Sequence, residues 1–216
     1  MTLEELAQHV RAAQLRDEAE PFLWSWNEII LYFNEAESIF ARRTHCLIDD
    51  ESDFTQIVTK PGVNKYKLDS RIIHVRSIRH ENGTPVRHRP RKSMPASMTE
   101  SRPTHYNVDS GTNRIRLIPV PDDEYTLQME VARKPLKPMA NQFDTPEIPE
   151  EYHLALTDWV VFKALSNNDP EGSNTEAAAE FRATWEMSLV AAKREVYQMR
   201  TGSGATALRN VTGGRW

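Results

Sequence analysis

Residues 22–44 constrain the fold of this chain more than any other stretch. Apolar residues recur there three and four positions apart, which is the spacing of one helix face: Trp26, Ile29, Ile30, Phe33, Ala36 and Phe40. Pro21 precedes the stretch and Arg42 and Arg43 close it, as is typical of helix termini. Each large side chain contributes roughly 1.5–3 kcal/mol when it is buried, so other parts of the chain must cover this face.

The composition predicts a globular chain made for an aqueous, reducing compartment. Hydrophobic residues make up 39% of the 216 residues, which is enough for a sizeable core in one or two domains. There is no run of about 18 apolar residues and no signal-peptide pattern, so we expect no membrane partner. The single cysteine, Cys46, cannot form an internal disulfide and is expected to be a small core residue.

The charges are segregated along the chain. Residues 1–59 carry 4 Lys and Arg against 12 Asp and Glu, residues 60–116 carry 13 against 4, and residues 117–216 carry 10 against 15. This pattern predicts that the basic middle is a separate module with its own neighbours.

Three further helices are predicted outside the basic middle. Thr2 and Glu5 have the spacing of a capping box and start a helix that runs to about Asp17. This first helix either covers the other helices or contacts a neighbouring subunit. Glu150 and Glu151 open the next helix, where acidic side chains suit the positive end of the helix dipole.

The last helix, residues 174–200, is predicted to bury one apolar stripe. The stripe consists of Ala177, Phe181, Trp185, Leu189, Ala192, Val196 and Met199. We expect the helices of residues 1–50 and 146–200 to form an antiparallel bundle.

Residues 51–145 are predicted to form an inserted β module, because their hydrophobic period changes from helical to alternating. Strands are expected at residues 54–59, 65–68, 71–80, 114–117 and 125–131. One polar face indicates an antiparallel sheet or small sandwich, with a bulge near Ser77 where the alternation breaks. The predicted fold class is therefore α+β, an antiparallel helical bundle with an inserted antiparallel sheet.

Residues 84–103 are predicted to be a protruding basic loop. Four prolines block a regular strand ladder there, and four cations stand in close succession: Arg87, Arg89, Arg91 and Lys92. Charge complementarity favours contact with an acidic surface of a neighbouring protein. The alternative is a nucleic-acid-binding module that uses residues 84–92, although the loop has no interleaved aromatic residues for base stacking.

Residues 201–216 are glycine-rich, have little to bury and are predicted to be a flexible tail. Two interpretations are open, a disordered end or a segment that orders on a partner. The residues that favour a partner are Leu208, Arg209, Val211, Arg215 and Trp216.

Sequence motifs give no support for catalysis, a cofactor or a metal. Phosphate loops, nucleophile elbows, zinc-protease motifs and paired cysteine ligands are all missing from the sequence. Glu150 and His153 have the spacing of a di-iron ligand pair, but the required second copy on another helix does not occur. The acidic cluster of residues 49–53 lacks calcium-loop spacing and is expected to be a solvated connection.

Three motifs resemble the phage head-to-tail adaptor family, also called head-completion or connector proteins, to which podovirus tail tubular protein A is related. The first is Trp26-Asn27-Glu28 leading to Phe33-Asn34-Glu35-Ala36-Glu37 and Ala41-Arg42-Arg43. The second is Tyr66-x-Leu68-Asp69-x-Arg71-Ile72-Ile73, and the third is Ile148-Pro149-Glu150-Glu151-Tyr152-His153-x-Ala155-Leu156. The resemblance spans most of residues 22–200.

This resemblance implies a ring, commonly of twelve copies, between the capsid portal and the tail tube or nozzle. The protein would be located in the virion neck after assembly in the host cytoplasm, with its C-terminal segment docked on the portal protein. DNA would pass through the ring without specific binding, and Glu176 and Glu180 are candidates for lining the lumen. We expect a monomer in isolation. A virion-associated cell-wall hydrolase is the remaining alternative, because any two carboxylates can converge in a fold.

Overall fold

The computed structural model describes residues 1–93, 99–109, 111–167 and 175–201. It shows an α+β protein in which the chain forms two compact units. Met1–Cys46 and the described residues from Pro135 onward form the helical unit, and the described residues of Leu47–Lys134 form the sheet unit. Each unit is described separately below.

The helical unit begins with two helices that are started by capping boxes. Helix α1, Leu3–His9, is capped by Thr2 and continues as a π-helical segment, Val10–Leu15. Helix α2, Trp26–Thr44, is capped by Ser25, whose side chain and backbone both bond to Glu28. The predicted start at residue 22 was therefore wrong, because the Ser25 cap fixes the first turn after Phe22 and Leu23, which remain exposed.

Two more helices complete the core of the helical unit. Helix α3 is Ala155–Asn167 and helix α4 is Thr175–Thr201. Trp185 of α4 is fully buried, and its ring centre lies 5.7 Å from those of both Phe40 and Trp159. These three aromatic side chains join α2, α3 and α4.

The N-terminal helix belongs to this core. Leu3, Leu6 and Val10 are fully buried, as expected if α1 covers the other helices. The backbone N–H groups of Leu3 and Glu4 donate to carbonyls at Asp144 and Gln142, at 2.8 and 3.0 Å. These bonds explain why residues 135–145 cluster with the helices, whereas sequence analysis assigned them to the β module.

Part of the predicted stripe on α4 is not buried. Phe181 and Val196 are half-buried and Met199 is 74% exposed, while Ala178 takes the buried position predicted for Ala177. For Val196 and Met199 the reason is length: α4 has 27 residues and α3 has 13, so the last turns of α4 extend beyond that partner helix. Cys46 is also half-buried and not a core residue.

The sheet unit contains eight strands within the described residues. They are β1 (Ile48–Asp49), β2 (Gln56–Val58), β3 (Lys65–Lys67), β4 (Ile72–His80), β5 (Pro85–His88), β6 (His105–Asp109), β7 (Arg114–Ile118) and β8 (Thr126–Arg133). The order in space is β1-β8-β4-β5-β6-β7-β3, with β2 also paired to β8. Every pairing is antiparallel except β5 with β6, which is parallel.

One hydrophobic cluster fills the inner side of this curled sheet. Ile115, Leu117, Leu127 and Val131 are fully buried in it. The bulge predicted near Ser77 is confirmed by a register shift between Val75 and Ser77 in the β4–β8 ladder.

The expectation that residues 84–103 form one loop was wrong at its start. Pro85 occupies the first position of β5, where the missing N–H costs no ladder bond, so residues 85–88 pair with β4 and β6. After a short 3-10 turn, Arg91–Ser93, the chain returns to the sheet at a bridge between Glu100 and Val120.

Among the described residues, no helix is both long enough and apolar enough to cross a membrane.

Candidate interaction surfaces

Cations from two paired strands meet on the outer side of the sheet unit. In the β3–β7 register, Lys65 stands opposite Arg116 and Lys67 stands opposite Arg114. The residues between them, Tyr66 and Ile115, pack in the core cluster. Because successive side chains of a strand point to opposite sides, all four cations lie on the outer face.

The adjoining strands extend the same face. Asn107 and Asp109 of β6 are paired with Arg116 and Arg114 of β7. A concavity of about 200 Å³ is lined by these four residues together with Lys65, Thr112 and Ile115. Register and cavity therefore agree that the polar side chains of β3, β6 and β7 form one continuous surface.

Strand β5 adds predicted site residues to this surface. Arg87 is paired with His105 of β6. The next residues on the two strands, His88 and Tyr106, make a ring contact with each other on the opposite side of the sheet. Arg89 follows two positions after Arg87, and its backbone N–H donates to the Tyr106 carbonyl at 2.8 Å. We call the outward side chains of β3, β5, β6 and β7, with Arg89, the basic face.

Asp109 is the one carboxylate among the outward strand positions of the described basic face. Its oxygens accept hydrogen bonds from the Gly111 N–H at 3.2 Å and from the Thr112 hydroxyl at 3.0 Å. The carboxylate is thus used to form the turn after β6, and it balances only part of the positive charge.

Three cations elsewhere in the sheet unit have acidic partners. Arg71 bonds Asp69, Arg76 pairs with Glu130, and Arg133 pairs with Asp49. The hydrogen bonds from Arg71 lower the pKa of Asp69 to about 2. By contrast, Lys65, Lys67 and Arg114 have no ion pair within the described part of the chain, so positive charge accumulates on the basic face.

The outer side of α4 is a second candidate surface. Glu176 and Glu180 are exposed in its first turns. Met187 and Val190 follow on the same side and are 66% and 57% exposed. Sequence analysis identified only the two glutamates as candidates on this side, whereas its middle is apolar.

The Glu150 and His153 pair contacts the chain's own terminus. The Met1 amino group lies 3.3 Å from Glu150 Oε1 and 3.1 Å from His153 Nδ1. The other ring nitrogen of His153 lies 2.9 Å from the Ile148 carbonyl, so the amino group and that carbonyl occupy both nitrogens. No group of three or more His, Cys, Asp or Glu side chains in the described residues is arranged to hold a metal.

Within the acidic residues 49–53, Asp49 makes hydrogen bonds that belong to the sheet unit. Asp49 accepts a hydrogen bond from the Ser52 hydroxyl at 2.8 Å and from Arg133 at 2.7 Å. Burial alone would raise the pKa of Asp49, but the hydrogen bonds from Ser52, Glu51 and Arg133 together outweigh it and lower the pKa.

The other predicted site residues are placed as follows. Lys92 is exposed in the 3-10 turn after β5, while Arg91 lies in the same turn. The predicted portal-binding residues Leu208, Arg209, Val211, Arg215 and Trp216 lie outside the described residues. Sequence analysis missed Lys65, Lys67, Arg114 and Arg116 as site residues. Their only signal was strand alternation, which does not show which strands become neighbours.

A family model described as SU10 adaptor protein matches residues 1–209. This match covers almost the whole chain and confirms the resemblance to phage head-to-tail adaptors. No curated protein that was compared with the chain matches it.

Proposed function

The chain belongs to the SU10 adaptor protein family, and from this premise we propose that it works as a head-to-tail adaptor in the neck of a phage virion. The family match over residues 1–209 is the observation that carries the proposal. In this role the protein is a structural connector with portal protein on one side and a tail tube or nozzle protein on the other. Its chemistry is recognition and assembly, without a catalytic step.

Exposed apolar side chains of the helical unit support assembly into a ring. Met187 and Val190 on α4 are 66% and 57% exposed, and Leu31 on α2 is 63% exposed. Contiguous apolar surface left in water marks a contact site, and head-to-tail contacts between identical copies form a ring when the rotation between copies closes. We propose that these side chains are covered by neighbouring copies, twelve in the complete ring.

The first turns of α4 suit a passage for DNA. Glu176 and Glu180 are both exposed, and neither is used in an ion pair within the described residues. Carboxylates at a lumen repel phosphates, so a polymer can slide without being held. We propose that these two side chains face the lumen, while Met187 and Val190 contact the next copy.

The C-terminal tail, residues 201–216, is the proposed portal-docking segment. Leu208, Val211 and Trp216 give it apolar contact area, and Arg209 and Arg215 give it charge. A segment that orders on its partner pays its conformational entropy only when it binds, which fits a monomer that joins the ring on a template.

Co-sedimentation with assembled portal rings tests the docking proposal. Three forms of the chain are compared: the full chain, a chain that ends at residue 200, and a matched control with residues 201–216 replaced by a Gly/Ser linker of the same length. We expect the full chain alone to sediment with the portal. Equal binding by all three forms would overturn tail docking.

Light scattering tests the proposed ring contacts separately. The full chain is expected to be monomeric alone and to form a ring only with the portal. The Met187→Ser/Val190→Ser variant is expected to bind the portal without completing the ring, whereas the Lys193→Ser control on an exposed polar position should complete it. A stable dodecamer of the isolated chain would contradict assembly on a template.

A further inference from the structure

Like charges stand directly opposite each other at two successive positions of the sheet. Lys65 faces Arg116, and Lys67 faces Arg114, in the β3–β7 ladder. Directly opposed like charges destabilise a sheet, and the Asp109 carboxylate, which stands opposite Arg114 on β6, offsets part of this cost. An anion lying over the ladder would remove that cost.

We propose that the basic face binds the phosphate backbone of double-helical DNA without regard to base sequence. Six cations supply the charge: Lys65, Lys67, Arg87, Arg89, Arg114 and Arg116. They come from three segments that are separate in sequence, and the sheet brings them to one side. Such a surface neutralises several phosphates at once and releases the counterions that the DNA had condensed.

The face lacks what a protein partner would need. Its outward strand positions carry only Lys, Arg, His, Asn and Asp, apart from Pro85 at the start of β5 and Ile118, which is 4% exposed and therefore covered. Stable protein interfaces have an apolar core rich in aromatic residues, and Lys is depleted in them. A surface of cations without an apolar anchor fits a polyanion that is recognised by charge.

The same composition favours a double helix over a single strand. Proteins that hold single strands stack the bases on Phe, Tyr or Trp side chains, and no such side chain stands outward on the described strands of this face. Tyr66 and Tyr106 point inward, where they pack with the core cluster. The bases are therefore not contacted, and the binding is not sequence-specific.

The spacing of the cations suits a flexible fit to phosphates. Alternate residues on one strand are about 6.6–6.8 Å apart and neighbouring strands are about 4.7–4.9 Å apart, so the face is a grid of long, mobile charged side chains. The concavity is lined by three cations, Lys65, Arg114 and Arg116, and by one carboxylate, Asp109, so a phosphate placed there meets a net positive charge.

Only the choice of DNA among phosphate polymers rests on the proposed function, because an adaptor has duplex DNA close to it. The binding test uses the isolated full chain without portal, so failure here and failure of portal docking are distinguishable. Fluorescence anisotropy follows a mixed-sequence DNA duplex of about 30 base pairs, long enough to cover the face, at NaCl concentrations from about 50 to 200 mM.

We expect affinity to fall by about 150-fold over that salt range if four phosphates are neutralised, since each contributes about 0.9 to the slope of log K against log salt. In the Lys67→Gln/Arg114→Gln variant the slope should fall by about 1.8 and the affinity at 50 mM by about 100-fold. The matched control, Lys134→Gln/Lys193→Gln, has the same net charge, and both of its positions lie off the face. It should lose less than about threefold.

Thermal unfolding shows whether each variant is folded. Because the substitutions remove opposed like charges, the Lys67→Gln/Arg114→Gln variant should melt at the wild-type temperature or slightly above it. If this variant does not fold, Lys65→Gln/Arg87→Gln takes its place with the same expected loss of DNA affinity.

Three results would overturn the proposal. One is no anisotropy change at 50 mM salt, and another is an equal loss of affinity in the face variant and the control. The third is binding of poly-L-glutamate as tight as that of the duplex at equal charge concentration, which would assign the face to an acidic protein.

Discussion

Arg43 of α2 and Glu186 of α4 form a bidentate ion pair, with N–O distances of 2.6 and 2.7 Å. The pair joins two helices that are 143 residues apart in the sequence at this point. Both side chains are nearly half exposed, at 45% and 43%. It is therefore a specific but solvent-screened link at the edge of the aromatic core.

Removing this ion pair should weaken the helical unit only modestly. In a double-mutant cycle of Arg43→Gln and Glu186→Gln, we expect a coupling of about 0.5–1 kcal/mol from urea unfolding. The hydrogen bonds from Arg43 lower the pKa of Glu186, so the stabilisation is present at neutral pH and disappears as the pH falls through that lowered pKa. The control Arg42→Gln, on an exposed neighbour, should change stability by less than about 0.5 kcal/mol. A coupling that persists unchanged at pH 2 would contradict this explanation.

The buried pair of Arg11 and Asp17 should matter far more. Their side chains are only 11% and 7% exposed, and Asp17 also accepts a hydrogen bond from the Leu23 N–H at 2.8 Å. The second terminal nitrogen of Arg11 donates to the Trp24 carbonyl at 2.5 Å. Together these bonds hold the segment between the π-helical turn and α2.

Asp17→Asn should reduce the free energy of unfolding by about 3–5 kcal/mol, because it leaves the buried guanidinium without a counter-charge. Urea unfolding measures the loss. Glu18→Gln, on the exposed neighbour, is the matched control and should be nearly neutral. A loss below about 1 kcal/mol for Asp17→Asn would show that Arg11 keeps its hydration in the folded protein.

Local sequence rules predicted the helices well, because caps and apolar periods act over a few residues. Helix α2 was placed correctly from Trp26 to Thr44, but its extension back to Phe22 failed because Ser25 caps the helix with Glu28. At the start of this helix the buried tryptophan is Trp24 and not Trp26. Trp24 lies before the cap, and its Nε1–H donates to the Ala164 carbonyl at 3.2 Å. A helical period cannot identify such a side chain.

The pairing of strands that are distant in the chain could not be predicted from the sequence. Lys67 and Arg114 are 47 positions apart in the chain and meet only through the register of β3 with β7. Arg87 was predicted in a loop on account of its prolines, but the position of Pro85 at a strand start leaves the β5 ladder intact. The basic face is therefore a property of the sheet and has no local motif.

Substitutions of Trp185 measure how much a buried aromatic ring contributes to the stability of the helical core. Its ring is fully buried, and its Nε1 atom has no hydrogen-bond partner within the described residues. Trp185→Ala should cost about 3–5 kcal/mol through the cavity it leaves. Trp185→Phe should cost less than about 2 kcal/mol, because it keeps most of the ring contacts and removes an unpaired N–H group.

Urea unfolding compares these two variants, with Trp26→Phe on a half-buried ring as the control. Equal losses for Trp185→Ala and Trp185→Phe would mean that the indole ring's shape, and not its apolar area, determines the packing.

Asp158 on α3 should make stability depend on pH. Burial raises the pKa of its carboxyl well above the ordinary range of aspartate, to about 6. Since the folded protein binds this proton more tightly than the unfolded chain does, the free energy of unfolding falls as the pH rises from about 4 to about 6 and stays low above that. The full difference corresponds to about 3 kcal/mol, and partial exposure of the side chain reduces the expected loss to about 1–2 kcal/mol.

Asp158→Asn removes the titration and should therefore raise the melting temperature at pH 7.5 while changing it little at pH 4. The matched control Asp144→Asn acts in the opposite sense, because hydrogen bonds from the Ala140 and Asn141 N–H groups lower the pKa of Asp144. Its substitution should destabilise the protein at pH 7.5. Thermal unfolding of both variants from pH 4 to 8 measures the two slopes, and a melting temperature of Asp158→Asn that follows the wild type at every pH would show that this carboxylate is hydrated in the folded protein.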